Sequence, residues 1–403
     1  MVDKNLFLHD LAIVAILKYE GAYLKEWLDY HLSAGVDHFY LYDNDSPDNQ
    51  AEVAEPYVKA GLVDRFDAPG KVMQMAVFNE AVKQFKFHCR YMAFVDIDEF
   101  IYPKANQSVV DVLDEVFSRD ETVAGLAINW QIFGSNGHER ADFSRGVLER
   151  FTRRAPVDWM PDGTGNAHVK TIANPRAINF MIYPHHANYF DTFHAVNENG
   201  KFVQNFLNTP VTVEKIALNH YYTKSREEFA VKMHRGRSDI TVNTYNDQTF
   251  EHYDRNEEFD DGILRYRDSR RVTPESTSRK LERVIGALTK TLSDTPANLT
   301  TALTCLALSS HLRENLLPDM KFCEELSLKK VAELSARMTF PEAQLLIREL
   351  PKILRLPYAD VEKIRVACRD VIPQMLNRLR EQVGLTRDYL NLAYLLDLLK
   401  LKE

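Results

Sequence analysis

Residues 92–95 (MAFV) are apolar and run directly into Asp96, Ile97, Asp98 and Glu99. Three carboxylates in four residues at the end of a buried segment carry a large desolvation cost unless a positive charge meets them. Two carboxylates spaced i, i+2 converge if the backbone turns beyond a strand. Hard oxygen donors of this kind suit Mg²⁺ or Mn²⁺, which take one or two carboxylates together with substrate phosphates. Asp98 is the first choice of ligand. Asp96 shares the ion or contacts what the ion holds, and Glu99 caps the following turn or orients its neighbours.

The elements that must hold this cluster are readable around it. Residues 11–17 (LAIVAIL) form an apolar run with the composition of a buried parallel strand. Residues 22–34 place Leu24, Trp27, Leu28 and His31 at helical spacing before Gly35, a helix C-cap signal. The spacing then predicts a strand over 38–42, a helix over 50–60, a strand over 62–66, a helix over 72–87 and a strand over 92–95. Such alternation with short connections predicts an α/β domain with a mostly parallel sheet flanked by helices, with ligands at the carboxyl ends of the strands. Further strands are expected over 126–133 and 215–220 and a helix over 225–234, with short strands and long loops between 140 and 200. Residues 243–262 are acidic and polar without a pattern. From about residue 276 the repeat is helical throughout. The expected domains are therefore 1–270 and an all-helical 271–403. The last helix, over 388–402, carries Leu390, Tyr394, Leu395, Leu398 and Leu401 near one stripe, as a core face or a dimer seam would.

The chain has 403 residues, of which 45% are hydrophobic and 27% charged, the make-up of a globular protein. Its net charge of −8 excludes a broad nucleic-acid-binding face. No run approaches the roughly 20 apolar residues that span a bilayer, and the N-terminus has no basic leader. Cys89, Cys305, Cys323 and Cys368 are scattered, which reads as free thiols in a reducing compartment rather than as a zinc site.

Seven stretches, in order, carry a resemblance: LKYEGAYLKEWLDYHLSAGVDHFYLYDND (17–45), FVDIDEFIYP (94–103), WQIFGSNGH (130–138), VLERFTRR (147–154), KTIANP (170–175), PHH (184–186) and NHYYTKSREEFAVKMHRG (219–236). With them the chain resembles glycosyltransferase family 92, also called domain of unknown function 23, within the Rossmann-like GT-A fold. The last 130 residues or so lie outside the resemblance. It implies an enzyme that moves a sugar from a nucleotide diphosphate donor. UDP-galactose, Mn²⁺ (or Mg²⁺) and inversion at the anomeric carbon are what characterised branches use. The acceptor implied is a glycan or lipid-linked saccharide of cell-surface polysaccharide or lipopolysaccharide synthesis. The thiol usage and the missing anchor agree with a cytoplasmic bacterial enzyme, peripheral at the inner face of the plasma membrane. The C-terminal helices are a candidate homo-oligomer contact.

The resemblance also assigns roles. His220, at the end of KIALNH, matches a further metal ligand beside Asp96 and Asp98. Lys18, Tyr19 and Glu20 follow the first strand and border the nucleotide. Tyr19 stands where the family more often has Asn. Asp43 and Asn44 resemble a loop that holds uracil or ribose, and Gln74 and Asn79 lie on a helix facing the donor. Lys224 and Arg235 are candidates for the diphosphate. WQIFGSNGH reads as the acceptor-side loop: Trp130 stacks on a sugar ring, Ser135 lies in the turn, and Gly134 and Gly137 permit close backbone approach. His185 and His186 are further acceptor-side candidates.

Inversion by direct displacement requires a general base within hydrogen-bond reach of the acceptor hydroxyl. His138, Glu139 and Asp142 are the candidates. Arg150, Arg153 and Arg154, with Lys170 nearby, and Lys224, Arg235 and Arg237 form two basic clusters suited to phosphate or to a solvated face. Two other classes share the acidic cluster. One is a non-catalytic sugar-nucleotide-binding protein that recruits a partner through its helices. The other is a metal-dependent nucleotidyltransferase or phosphohydrolase, although no GxxxxGK[ST] loop is present.

Overall fold

The computed structural model describes residues 4–105, 107–190 and 193–266, residue 275, two helices at 277–293 and 321–335, and single positions at 302, 305, 306, 309 and 366. The chain divides into two compact units, His9–Ser276 and Thr277–Glu403, the second including Val2–Leu8.

The first unit is built on a ten-stranded mixed sheet. In chain order its leading elements are β1 (His9–Leu17), α1 (Gly21–Ala34), β2 (His38–Asp43), α2 (Gln50–Lys59), β3 (Val63–Asp67), α3 (Gln74–Phe85) and β4 (Cys89–Phe94). They continue with β5 (Glu99–Pro103), α4 (Val109–Phe117), β6 (Val123–Ile132), α5 (Val147–Arg150), β7 (Arg153–Arg154), β8 (Val169–Ala173), β9 (Ile178–Tyr183) and β10 (His186–Tyr189). The remainder is β11 (His194–Val196), β12 (Phe202–Val203), β13 (Ile216–His220), α6 (Arg226–Arg235), α7 (Asp247–Tyr253) and β14 (Glu258–Phe259).

β1 pairs in parallel with β2 on one side and β4 on the other. The strand order therefore reverses at β1, and a crevice opens beyond the carboxyl ends of β1 and β4. The expected mostly parallel sheet flanked by helices is present. Its register is completed by a strand that the apolar pattern does not orient. β8 runs antiparallel between β4 and β6, joining two parallel blocks. β13 lies parallel to β6 and antiparallel to β5.

Buried side chains from both faces of the sheet form the core. One face packs Leu24, Trp27 and Leu28 of α1 and Val112, Leu113 and Val116 of α4. The other packs Val77, Phe78 and Ala81 of α3. α1 also grips β5 by its polar edge. Trp27 Nε1 donates to Glu99 O (2.8 Å) and Tyr30 hydroxyl to Ile101 O (2.8 Å). His31 Nε2 accepts from Ile101 N (3.2 Å). Gly35 ends α1 at φ 106°, where a Cβ would meet Ser108 Cβ at 2.8 Å. Ser108 and Asp111 form a capping box at the start of α4, a local signal independent of the apolar period. α7 lies in the stretch that shows no pattern in the sequence, capped by Asn246.

In the second unit, helix Thr277–Ser293 buries Leu281, Val284, Leu288 and Leu292 at spacings of three and four. Arg283 Nη1 donates to the carbonyls of Asn5 and Phe7 at 3.3 and 3.0 Å, tying the N-terminal segment to this helix. No described helix is long and apolar enough to cross a membrane. The apolar stripe over 388–402 and Cys368 lie outside the described residues, and Cys323 is described only as part of the helix over 321–335. Cys89 is a buried free thiol, and Cys305 is likewise buried.

Candidate active site

A cavity of about 440 Å³ opens where the strand order predicts it. Its floor is the turn 95–98 between β4 and β5. Lys18 and Glu20 follow β1 into one wall and Asn44 follows β2. Trp130 of β6, His185 and His220 of β13 form another wall, and α6 and residues 236–245 close over it.

The acids on this floor each meet a lysine or a donor. Asp96 accepts from Gln74 Nε2 (2.8 Å) and Lys170 Nζ (2.8 Å). Asp98 accepts from Lys232 Nζ at 2.8 Å through Oδ2, while its Oδ1 lies 3.5 Å from His220 Nε2. Glu99 is wholly buried. It accepts from the backbone N–H of Asp96 (2.8 Å), which caps the turn, and from Trp130 Nε1 (2.8 Å). Burial would raise the Asp98 carboxyl, but Lys232 and then His220 hold it well below the usual carboxylate range. Burial, working against Lys170, pushes Glu99 up to about 8, so the charge of Lys170 is matched chiefly by Asp96. Burial also lowers His220 and keeps its ring neutral despite Asp98, the state a metal ligand needs.

Among the described residues, no group of three His, Cys, Asp or Glu side chains converges on one point. Asp98 and His220 do face each other. A carboxylate oxygen and an imidazole nitrogen 3.5 Å apart are compatible with sharing one Mn²⁺ or Mg²⁺ that takes its other ligands from a diphosphate. His220 Nδ1 is buried without a hydrogen-bond partner, 3.9 Å from Glu99 Oε1, on the side from which a supporting carboxylate usually orients a ligating imidazole. The donor set thus fits a two-ligand site, with Asp96 engaged by Lys170 instead of completing it.

The other expected residues separate into those the fold gathers and those it does not. Lys18, Glu20, Asn44, Gln74, Asp96 and Arg235 line the cavity; Asp43, Asn79 and Lys224 do not. Asp43 is spent on Arg65 (3.1 Å) and on the backbone of Ser46. Asn44 braces the cavity loop by donating to Ala68 O and Gly70 O. Asn79 holds Met181 of β9 from both sides of its amide. Lys224 is buried, its Nζ 4.3 Å from the centre of the Tyr23 ring. Arg235 pairs with Glu20 and donates to Lys18 O (3.0 Å).

On the acceptor side, Trp130 and His185 line the cavity, whereas Ser135 and His186 do not. Trp130 already stacks on His168, ring centres 4.7 Å apart, so one of its faces is taken. His138, Glu139 and Asp142 also lie off the cavity. Glu139 is exposed beside Arg226, and Asp142 is engaged by Ser144 and Arg145. The reason is local: the 134–137 turn folds onto the segment 254–256. Ser135 N donates to Asp254 Oδ1 and Asn136 N to Asn256 Oδ1, and a Cβ on Gly134 would meet Arg255 O at 2.4 Å. Close approach, not positive φ, makes Gly134 a glycine.

The basic clusters divide in the same way. Arg150 forms a bidentate pair with Glu228 (2.8 and 2.9 Å), both wholly enclosed. Arg154 pairs with Asp260 and Glu258. Neither faces the cavity. Lys170 and Lys232 are the cations that meet the floor acids; motif reading placed Lys170 only beside the first basic cluster and left Lys232 without a role. Lys232 lies three residues before Arg235 on one face of α6, a spacing that could have placed the two together.

Comparison with known proteins adds a finding of its own. The model of glycosyltransferase family 92 matches residues 14–262. A family 92 protein of Ricinus communis is 26% identical over 250 residues, covering 61% of this chain and 41% of that one. Another from Oryza sativa subsp. japonica is 28% identical over 225 residues, covering 56% and 35%. A galactan beta-1,4-galactosyltransferase of Arabidopsis thaliana is 31% identical over 101 residues, covering 22% and 19%. The chain thus spans well under half the length of these relatives.

Proposed function

Because the chain belongs to glycosyltransferase family 92, we propose that it transfers a sugar from a nucleotide diphosphate donor to a saccharide acceptor, with a divalent metal bound at Asp98 and His220. The observation that carries this reading is the cavity beyond β1 and β4, with a carboxylate–imidazole pair on its floor and Lys18, Lys232 and Arg235 around it. Galactose from UDP-galactose is the donor we favour, supported by the match to a relative named as a galactan galactosyltransferase.

A bound Mn²⁺ or Mg²⁺ supplies Lewis-acid stabilisation of the departing diphosphate. The chain's own part is to bind and orient. Lys18 and Arg235 border the donor, and Asn44 and Gln74 hold the loops that shape its pocket. For an inverting displacement we assign the proton-accepting role to His185. Its Nδ1 donates to Val169 O (2.8 Å), which leaves Nε2 as the acceptor on a ring that lines the cavity. In the finer reading, the acceptor is a glycan or lipid-linked saccharide of cell-surface polysaccharide or lipopolysaccharide synthesis, and the enzyme works in the cytoplasm at the inner face of the plasma membrane.

Purified protein incubated with UDP-galactose, UDP-glucose and UDP-N-acetylglucosamine, with Mn²⁺ or with chelator, tests this. Metal-dependent release of UDP with at least one donor is expected, greatest with UDP-galactose. No release from any donor, together with no binding of UDP in the presence of Mn²⁺, overturns the reading.

A further inference from the structure

One carboxylate on the cavity floor has two cationic claimants. Asp98 Oδ2 accepts from Lys232 Nζ at 2.8 Å, and Asp98 Oδ1 faces the His220 nitrogen that would share a metal. Lys232 is itself buried and fixed. Its ammonium donates to Tyr222 O (2.9 Å) and lies 4.0 Å from the centre of the Tyr222 ring. The family resemblance gives this lysine no role, yet its ammonium is the cation that meets the Asp98 carboxylate, with both side chains buried.

A dication bound to the same carboxylate stands beside that ammonium, and at low local dielectric the repulsion is severe. A diphosphate relieves it, because its oxygens accept from the ammonium and balance the metal charge at once. We infer that Lys232 couples metal uptake to donor uptake: without nucleotide it holds Asp98 and keeps divalent ions weakly bound, and with nucleotide it passes to a phosphate oxygen and releases Asp98. Lys232 is thus a positioning residue that makes the metal and the nucleotide arrive together. The coupling is reciprocal, so the metal strengthens nucleotide binding by the same factor. The nucleotide half rests on the reading proposed above; the competition between Lys232 and a dication for Asp98 does not.

The test is a Mn²⁺ titration of the full chain followed by electron paramagnetic resonance, with and without UDP, corrected for the binding of Mn²⁺ by UDP itself. Wild type should bind Mn²⁺ at least about tenfold more tightly when UDP is present, within the usual range of coupling between sites. Lys232→Gln keeps a donor to Asp98 without the charge. It should bind Mn²⁺ at least about tenfold more tightly than wild type in the absence of nucleotide, with the effect of UDP correspondingly reduced. Lys232→Arg keeps the charge and should retain the coupling, and adding Asp98→Asn to Lys232→Gln should abolish the gained affinity. Circular dichroism confirms that each variant is folded. Equal nucleotide-free Mn²⁺ affinity in wild type and Lys232→Gln overturns the inference. So does a gain that survives Asp98→Asn. If UDP binds none of the proteins, the glycosyltransferase reading fails, while the nucleotide-free comparison still decides whether Lys232 opposes the metal.

Discussion

Lys170 Nζ lies 2.8 Å from Asp96 Oδ2 on the floor of the cavity. The lysine is almost fully buried, whereas the aspartate side chain keeps 36% of its surface exposed. β8 places Lys170 there because it runs antiparallel between β4 and β6 and pairs with both. The second aspartate, Asp98, is matched in the same way by Lys232 of α6. Two lysines from distant segments thus balance the acids at the end of β4 before any ligand is considered.

The two kinds of buried pair should differ in what their loss costs. Arg150→Met strands Glu228, whose side chain is 2% exposed and can recruit little water. The expected loss is about 3–5 kcal/mol, the range for breaking a buried ion pair. Lys170→Met leaves Asp96 able to hydrate and Glu99 protonated, so about 2 kcal/mol is expected. Urea unfolding of both variants checks the order. A Lys170→Met loss equal to or above that of Arg150→Met contradicts the account of a shared cavity floor.

His31 makes the first unit acid-sensitive. Its Nδ1 donates to Trp27 O (2.9 Å) and its Nε2 accepts from Ile101 N, so the ring is neutral in the fold. Burial pushes it down to about 3, against an ordinary value near 6.5. Between these values the unfolded chain binds the extra proton. The stability His31 contributes is therefore complete above pH 6.5 and is lost as pH falls toward 3. From pH 7 to pH 5 this one group removes about 2 kcal/mol. In His31→Gln the amide can donate and accept in the same places without titrating, and that part of the slope should vanish from urea midpoints measured across this range. An unchanged slope refutes the assignment.

The strand-end acids, Lys18, Glu20 and His220 were legible because each follows or ends an apolar run, and the α/β alternation sends such positions to one edge of the sheet. What meets them was not. Lys170 is 74 residues from Asp96 in sequence and Lys232 is 134 from Asp98. Only the antiparallel insertion of β8 and the return of α6 over the sheet bring them together, and no local period records either. Ser135, His138, Glu139 and Asp142 lie off the cavity for a related reason. A polar turn such as 134–138 reads equally well as a rim of a site or as a loop packed on its neighbour. Asp254 and Asn256, far along the chain, decide for the second.

Gln74 joins the floor of the cavity to its cover. Its Nε2 donates to Asp96 Oδ1 and its Oε1 accepts from Ser238 Oγ (3.3 Å). Gln74→Leu removes both bonds while keeping the bulk. A hydrogen bond to a charged group contributes about 1.5–3 kcal/mol, so donor KM should rise by roughly tenfold or more, with a smaller change in kcat. Steady-state kinetics with the best donor checks this, and a change confined to kcat refutes a positioning role on the donor side.

His185 should carry the acid limb of the rate profile. Burial, then Lys170 and His168, hold its ring well below the usual histidine range. A base held low stays unprotonated as pH falls, so kcat should stay flat from pH 8 down past 6 and decline only in more acid buffer. An acid limb centred near 6.5 instead assigns the proton to an unperturbed group. His185→Gln removes the ring acceptor and should lower kcat by about 10²–10⁴-fold. The binding of UDP, which this account places on the Lys18 and Arg235 side, should change little. The loss separates proton transfer from mere packing through a second readout: a structural defect in the wall formed by Trp130, His168 and His185 would weaken acceptor binding and raise its KM. Loss of the base lowers kcat at saturating acceptor and removes the acid limb altogether.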